Sequence, residues 1–197
     1  MVAPLPLRFV TSAPDAAHLP EVDAEVAIVG RSNVGKSSLL NALGNRKDLA
    51  RASKTPGRTR LLNCFEVAQG ATVVDCPGYG YAKAPARDRG RWRAMMETYL
   101  LEREPLTMVM VLVDGEIGPT ALDTQMLDWL RANAAPHSVV ATKHDKVKAQ
   151  QRERRKHDLA AGCRLERGDI TWVSAAKGVG IDDLRRLVRL WLDLERR

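Results

Sequence analysis

The chain has 197 residues, enough for one compact domain with a sizeable core and too few for a second domain of ordinary size. Its 31 lysines and arginines outnumber 24 aspartates and glutamates, and the net charge of +7 favours polyanions such as nucleic acid or acidic lipid. Three cysteines, Cys64, Cys76 and Cys163, follow no metal-ligand or disulfide-framework spacing, which suits core or near-core thiols in a reducing cytosol better than a secreted disulfide protein. In chain order, β-branched apolar runs bounded by turn residues predict strands over Glu25–Val29, Leu61–Val67, Thr72–Asp75, Thr107–Asp114, Ser138–Thr142 and Ile170–Ser174. Between them, helical periodicity predicts Lys36–Leu43, Arg89–Glu102, Ala121–Ala132, Lys148–Ala160 and Asp182–Leu194. The last carries Leu184, Leu187, Val188, Trp191 and Leu194 as a core-facing stripe. Runs such as Met108–Val113 do not alternate polar with apolar residues, as expected of strands covered on both faces. The expected fold is therefore α/β: three layers, with a mostly parallel, doubly wound sheet and helices on both faces. Residues 1–23 are expected to form an N-terminal extension packed on or near a single domain spanning 24–197, and Ala50–Arg60 is the best candidate for a mobile loop. In such sheets ligands sit beyond the carboxyl ends of the strands.

Five loops follow strands in positions where chemistry would be expected. Gly30-Arg31-Ser32-Asn33-Val34-Gly35-Lys36-Ser37 fits GxxxxGK[ST], between a strand and a helix. Its glycines let the backbone curl so that successive N–H groups cradle phosphate oxygens, and the helix that follows presents its positive end to the same charge. Lys36 is expected to reach the β- and γ-phosphates and the Ser37 hydroxyl to bind magnesium. Asp75-Cys76-Pro77-Gly78 ends a strand. The Asp75 carboxylate can hold the magnesium through a water, and Gly78, lacking a side chain, lets its backbone N–H approach a γ-phosphate. Between these two loops, Gly57-Arg58-Thr59-Arg60, leading into Leu61, is expected to close over nucleotide, with Thr59 preferred to Thr55 as the second hydroxyl ligand to magnesium. Lys36, Thr59 and Gly78 are the candidate catalytic groups.

The remaining two loops address the base. Thr142-Lys143-His144-Asp145 follows a strand, and Asp145 there can accept two hydrogen bonds from guanine N1–H and its exocyclic amine, a pair adenine does not offer. Lys143 can lay its methylene stem over the base plane. Taken alone, an aspartate before a helix such as Asp145 is more commonly an N-cap. Ser174-Ala175-Ala176-Lys177 supplies small residues whose N–H groups can approach the guanine carbonyl. An ATP-using small-molecule kinase shares the phosphate loop and is distinguished from a GTPase by Asp145.

With all five boxes in this order the chain resembles the translation-factor-related P-loop GTPases, which have a Ras-like domain. Within them it is most similar to the EngB (YihA/YsxC) family. The strings that carry the resemblance are Gly30 through Leu39, Ser53-Lys54-Thr55-Pro56-Gly57-Arg58-Thr59, and Asp75-Cys76-Pro77-Gly78-Tyr79-Gly80-Tyr81-Ala82. Arg60, Leu61 and His144 stand at positions where members vary. The resemblance implies GTP and GDP as ligands, magnesium as cofactor, hydrolysis of GTP, a role in assembly of the large ribosomal subunit, and a need for the protein in normal septation and cell division. Tyr79 stands where Ras-like proteins place the glutamine that orients the attacking water, so intrinsic hydrolysis is expected to be slow. Asn33 resembles the phosphate-loop asparagine of potassium-activated relatives; holding potassium and merely bracing the loop are equally open readings.

Two further features bear on partners. Lys148, Arg152, Arg155 and Lys156 share one face of a predicted helix, which suits phosphate contacts, although a solvated face is the default for any charge run; with the resemblance, this implies ribosomal RNA as the partner. Met1–Pro14 lacks the apolar stretch of a signal peptide, and the run Met108–Val113 is far too short to span a bilayer. Neither a myristoylation nor a prenylation motif is evident. A cytoplasmic monomer without membrane attachment is the expectation; a GTP-dependent signalling adaptor with a protein or membrane partner is the alternative.

Overall fold

The computed structural model describes residues 2–50, 61–79 and 86–194. Among these residues seven strands form one sheet: β1 (Arg8–Ala13), β2 (Ala24–Gly30), β3 (Leu62–Ala68), β4 (Ala71–Asp75), β5 (Leu106–Asp114), β6 (His137–Thr142) and β7 (Ile170–Trp172). Their spatial order is β1-β3-β4-β2-β5-β6-β7. β4, β2, β5, β6 and β7 run parallel, while β1 and β3 are antiparallel to their neighbours. β3 and β4 form a hairpin across Gln69-Gly70, where Gly70 takes the positive φ of 73° that a tight turn requires.

Burial follows the pattern expected of doubly covered strands. Every residue of β2 and β4 is buried, and so are the last six of β5. Successive β5 side chains point to opposite faces. Val109, Val111 and Val113 join Tyr99, Leu127, Leu130 and Leu159 in one core layer; Met110 and Leu112 join Leu39, Leu40, Leu43, Leu184 and Val188 in the other. Helices α2 (Ala86–Glu102), α3 (Ala121–Ala132) and α4 (Arg152–Cys163) thus supply one outer layer, and α1 (Lys36–Leu43) with α5 (Ile181–Trp191) the second. This is the three-layer α/β fold expected. The stripe on α5 is seated as predicted, with Leu184 and Val188 buried and Leu187, Trp191 and Leu194 packed against the same layer. All three cysteines are buried thiols.

Three expectations need correction. Arg8–Ala13 forms an edge strand that apolar periodicity does not announce, because Arg8, Phe9 and Val10 are all exposed. Ahead of it Leu5 and Leu7 are buried, and Leu5 N–H donates to Leu43 O at 3.0 Å. The segment predicted as one helix from Lys148 instead opens with a short 3₁₀ turn, Ala149–Gln151, because Lys148 is extended (φ −56°, ψ 136°); α4 begins at Arg152. The strand at Ile170 ends at Trp172, two residues before Ser174.

Two buried charges tie distant elements together. Glu25, fully buried at the start of β2, accepts hydrogen bonds from Thr72, Tyr99 and Arg103, which fixes the end of α2 to the sheet. Arg185 on α5 donates to Leu43 O (3.1 Å) and Ala42 O (2.8 Å), capping the carboxyl end of α1, and pairs with Asp182 at 2.9 Å. Replacing Arg185 with methionine keeps the aliphatic stem but orphans those carbonyls. Urea unfolding is expected to show a loss of about 2–3 kcal/mol.

Candidate nucleotide-binding site

The loop between β2 and α1 has the backbone of a phosphate cradle. A Cβ at Gly30 would lie 2.9 Å from Val34 Cγ1 and 3.0 Å from Leu112 O, so only glycine lets the turn lie against β5. Asn33 (φ 65°) and Gly35 (φ 114°) are left-handed, and Gly35 caps α1 without a side-chain partner for its first N–H groups. Those donors and the helix dipole favour an anion there. The left-handed φ of Asn33 gives that exposed residue a backbone reason for being asparagine, independent of any ion. Arg31, Ser32, Lys36 and Ser37 are half-buried around the cradle, and Lys36 Nζ lies 3.4 Å from Gly30 O. The loop is pinned from the far side by Thr142, whose hydroxyl lies 2.7 Å from Val34 O and 3.2 Å from Val113 O.

The turn after β4 lies directly on this cradle. Cys76 N–H donates to Ile28 O at 3.0 Å, prolonging the β4–β2 pairing, and Pro77 leads into Gly78. A Cβ on Gly78 would come within 3.0 Å of Ser32 N and Oγ and 3.1 Å of Lys36 Nζ. Tyr79 N–H donates to Gly30 O and Ser32 N–H to Tyr79 O, both at 3.2 Å. The Tyr79 ring is buried and its hydroxyl donates to Asp123 Oδ1 at 2.7 Å, so the phenol is turned into the protein.

Asp75 is the carboxylate nearest this centre in the sequence pattern, and its environment fits a cation. Among the described residues, its buried Oδ1 has no hydrogen-bond partner. Burial pushes its carboxyl up from 3.8 to about 6, against the opposing pull of Lys36 and Asn63. A divalent ion held by Asp75 and the Ser37 hydroxyl would relieve that orphaned oxygen. Gly57, Arg58, Thr59 and Arg60, including the second hydroxyl ligand expected, lie outside the described residues, and Leu61 is exposed just before β3.

At the base end the two loops after β6 and β7 are locked together. Ser174 Oγ, fully buried, donates to Asp145 Oδ1 at 2.6 Å and accepts from Lys177 N–H at 3.1 Å. The Ser174 hydroxyl is the first reason the half-buried Asp145 carboxyl is held below its ordinary value. Asp145 lies inside a 3₁₀ turn, His144–Lys146, so the N-cap alternative is not what it adopts. His144 packs edge-on against Trp172, with ring centroids 5.5 Å apart, and a half-buried Ala175 and an exposed Ala176 follow Ser174. Lys143 is left-handed (φ 56°), and its Nζ pairs with Asp114 Oδ2 at 2.6 Å. Asp114 is a site residue that sequence reasoning missed. Its signal was an acidic residue ending the strand beside the lysine's own, for Asp114 and Thr142 are register partners across β5 and β6.

Residues 25–143 match the family described as 50S ribosome-binding GTPases. A probable GTP-binding protein EngB from Citrifermentans bemidjiense is 47% identical over 176 residues, covering 89% of this chain and 82% of that protein. The chain belongs to the EngB family of GTP-binding proteins. A crystal structure of a probable EngB protein superposes with a TM-score of 0.70 over 87% of this chain and all of the other, at 23% identity, a likeness that speaks for the fold alone. The structure of Era in complex with MgGDPNP and a piece of 16S ribosomal RNA is 25% identical, with a TM-score of 0.60, over 86% of this chain and 56% of Era. As in the EngB family generally, the activity is that of a GTP-binding GTPase. No helix among the described residues is long and apolar enough to cross a membrane.

Proposed function

We propose that this chain is a magnesium-dependent GTP switch acting on the large ribosomal subunit or its precursor in the cytoplasm. The carrying observation is the seating of Gly78 and Tyr79 on Ser32 and Lys36, which makes the loop after β4 answer to whatever phosphate occupies the cradle. In this reading Gly30 through Ser37 bind the phosphates, Asp145, Lys143, Ser174, Ala175 and Ala176 bind guanine, and Ser37, Asp75 and Thr59 hold magnesium. Magnesium supplies charge neutralisation at the terminal phosphates, Lys36 adds its own positive charge, and Gly78 offers a backbone donor. The rate is slow because the Tyr79 phenol is buried and spent on Asp123, leaving the position that orients water in Ras-like proteins without a free group. Acceleration then comes from the bound particle or from a potassium ion at Asn33.

The ribosomal partner is supported by the family's description and by the net charge of +7. The expected basic face needs revision. Lys148 precedes the 3₁₀ turn, Arg152 Nε donates to Val147 O, Arg155 Nη1 donates to Ile117 O, and Lys156 pairs with Glu153, so these charges are partly spent within the fold. Arg154 pairs with Asp158 at 3.7 Å yet keeps 86% of its side chain exposed, which leaves it open to a contact on α4. Co-sedimentation with large-subunit particles is expected to be stronger with a GTP analogue than with GDP and to weaken steeply between about 50 and 200 mM salt. Equal pelleting in both nucleotide states would end the switch reading, and pelleting indifferent to salt would end the RNA contact. Likeness to the EngB family also supports the reading that the protein is needed for normal septation and cell division.

A further inference from the structure

Tyr79 is bound at both ends to different parts of the protein. Its backbone is bonded to the phosphate loop through Gly30 O and Ser32 N, and its hydroxyl donates to Asp123, which is 1% exposed. The other Asp123 oxygen, Oδ2, accepts from Thr120 N–H at 2.8 Å and from the Thr120 hydroxyl at 2.7 Å, so Asp123 is itself held by the capping box that starts α3. The acceptor is therefore a fixed point on a rigid element. Gly78, one residue before the anchored tyrosine, lies against Lys36 Nζ. In this arrangement the Ser32 N–H is spent on Tyr79 O and the space beside the Lys36 ammonium is narrowed by the Gly78 backbone.

From these contacts we infer that the Tyr79–Asp123 hydrogen bond is a latch holding Gly78 and Tyr79 down on the phosphate loop, and that Asp123 is thereby a positioning residue setting the preference for GDP over GTP. A third phosphate beside Lys36 competes with Gly78 for room and with Tyr79 O for the Ser32 donor. To make space the turn must rise, and rising draws the phenol off a buried carboxylate. A ligand shifts such an equilibrium only by its differential affinity for the two positions, so GTP binding is weakened by what the latch contributes to the lowered one. The diphosphate does not demand that space. Burial and the neighbouring carboxylate keep the phenol protonated, so the donor is present at every working pH. The inference rests on the GTP-switch reading above, and its test separates the two.

The test is equilibrium binding of GDP and of a non-hydrolysable GTP analogue, with magnesium, to the full chain and to Tyr79→Phe. Phenylalanine keeps the ring in its pocket and removes only the hydroxyl. The ratio of GTP-analogue to GDP affinity is expected to rise roughly tenfold. Asp123→Asn is the second variant: with the amide oxygen kept on the two Thr120 donors, the NH2 faces Tyr79 and the phenol loses its bond to a charged acceptor, so the ratio should move the same way. The double variant should add little to either single change, since both break one interaction. A purely structural role would lower the melting temperature and weaken both nucleotides alike, leaving the ratio fixed; that result, or a shift toward GDP, overturns the latch. Failure of the unaltered chain to bind either nucleotide would instead overturn the underlying reading.

Discussion

Asp145→Asn is expected to weaken GTP and GDP binding about 10³-fold and to make xanthosine nucleotides the better ligands. Guanine presents two donors side by side, N1–H and the exocyclic amine, and a carboxylate held in place accepts both. The Ser174 hydroxyl does that holding, at 2.6 Å, and keeps the carboxyl ionised across neutral pH by stabilising its charge. Each charge-assisted bond contributes about 1.5–3 kcal/mol, so losing one while turning another donor against the amine accounts for a factor of this order. Xanthine carries a carbonyl in place of the amine. The asparagine amide donates to that carbonyl while its oxygen accepts from N1–H, restoring a matched pair. Competition binding with fluorescent GDP against GTP, XTP and ATP measures the exchange. Recovery with XTP also demonstrates that the variant is folded, so a general loss of structure cannot imitate the result. Unchanged GTP affinity would remove Asp145 from the base site, and a gain for ATP would point to a different pocket.

What could be read in the chain and what could not divides along sequence distance. The phosphate loop, Asp75 at the end of β4, and the pairs Lys143–Asp145 and Ser174–Lys177 are local patterns, each attached to a strand whose apolar run is legible without a partner. The contacts that make those loops into one site cross the sheet. Lys143 reaches Asp114, 29 residues earlier, because β5 and β6 are parallel neighbours in register. Tyr79 reaches Asp123, 44 residues later, because the turn after β4 faces the cap of α3. Neither distance carries a periodic signal. β1 was missed for another reason: an edge strand with three successive exposed residues has no buried face to alternate against. The helical face drawn through Lys148 failed because Val147 is buried and the extended Lys148 breaks the helical register before α4 begins.

Asp75→Asn is expected to abolish the dependence of nucleotide affinity on magnesium and to reduce hydrolysis by about 10²–10³-fold. The same change should make the nucleotide-free protein more stable at neutral pH. Folding buries this carboxyl and raises it from 3.8 to about 6, so the folded chain binds a proton more tightly than the unfolded one. Stability from this group is then greatest below about pH 4, falls as pH rises toward 6, and stays reduced above that, where the buried charge has no proton to neutralise it. At 1.36 kcal/mol per unit the rise is worth no more than about 3 kcal/mol. Magnesium reverses the preference, since it binds the ionised form: its affinity should fall about tenfold per pH unit below 6, with one proton released per ion bound. Urea unfolding between pH 4 and 7, with and without magnesium and GDP, separates the two effects. The unaltered protein should lose stability with rising pH only when magnesium is absent, and the asparagine variant should show no slope from this site in either condition. A variant that kept its magnesium dependence would move the ion elsewhere in the cradle and leave the orphaned oxygen of Asp75 a structural cost of the fold.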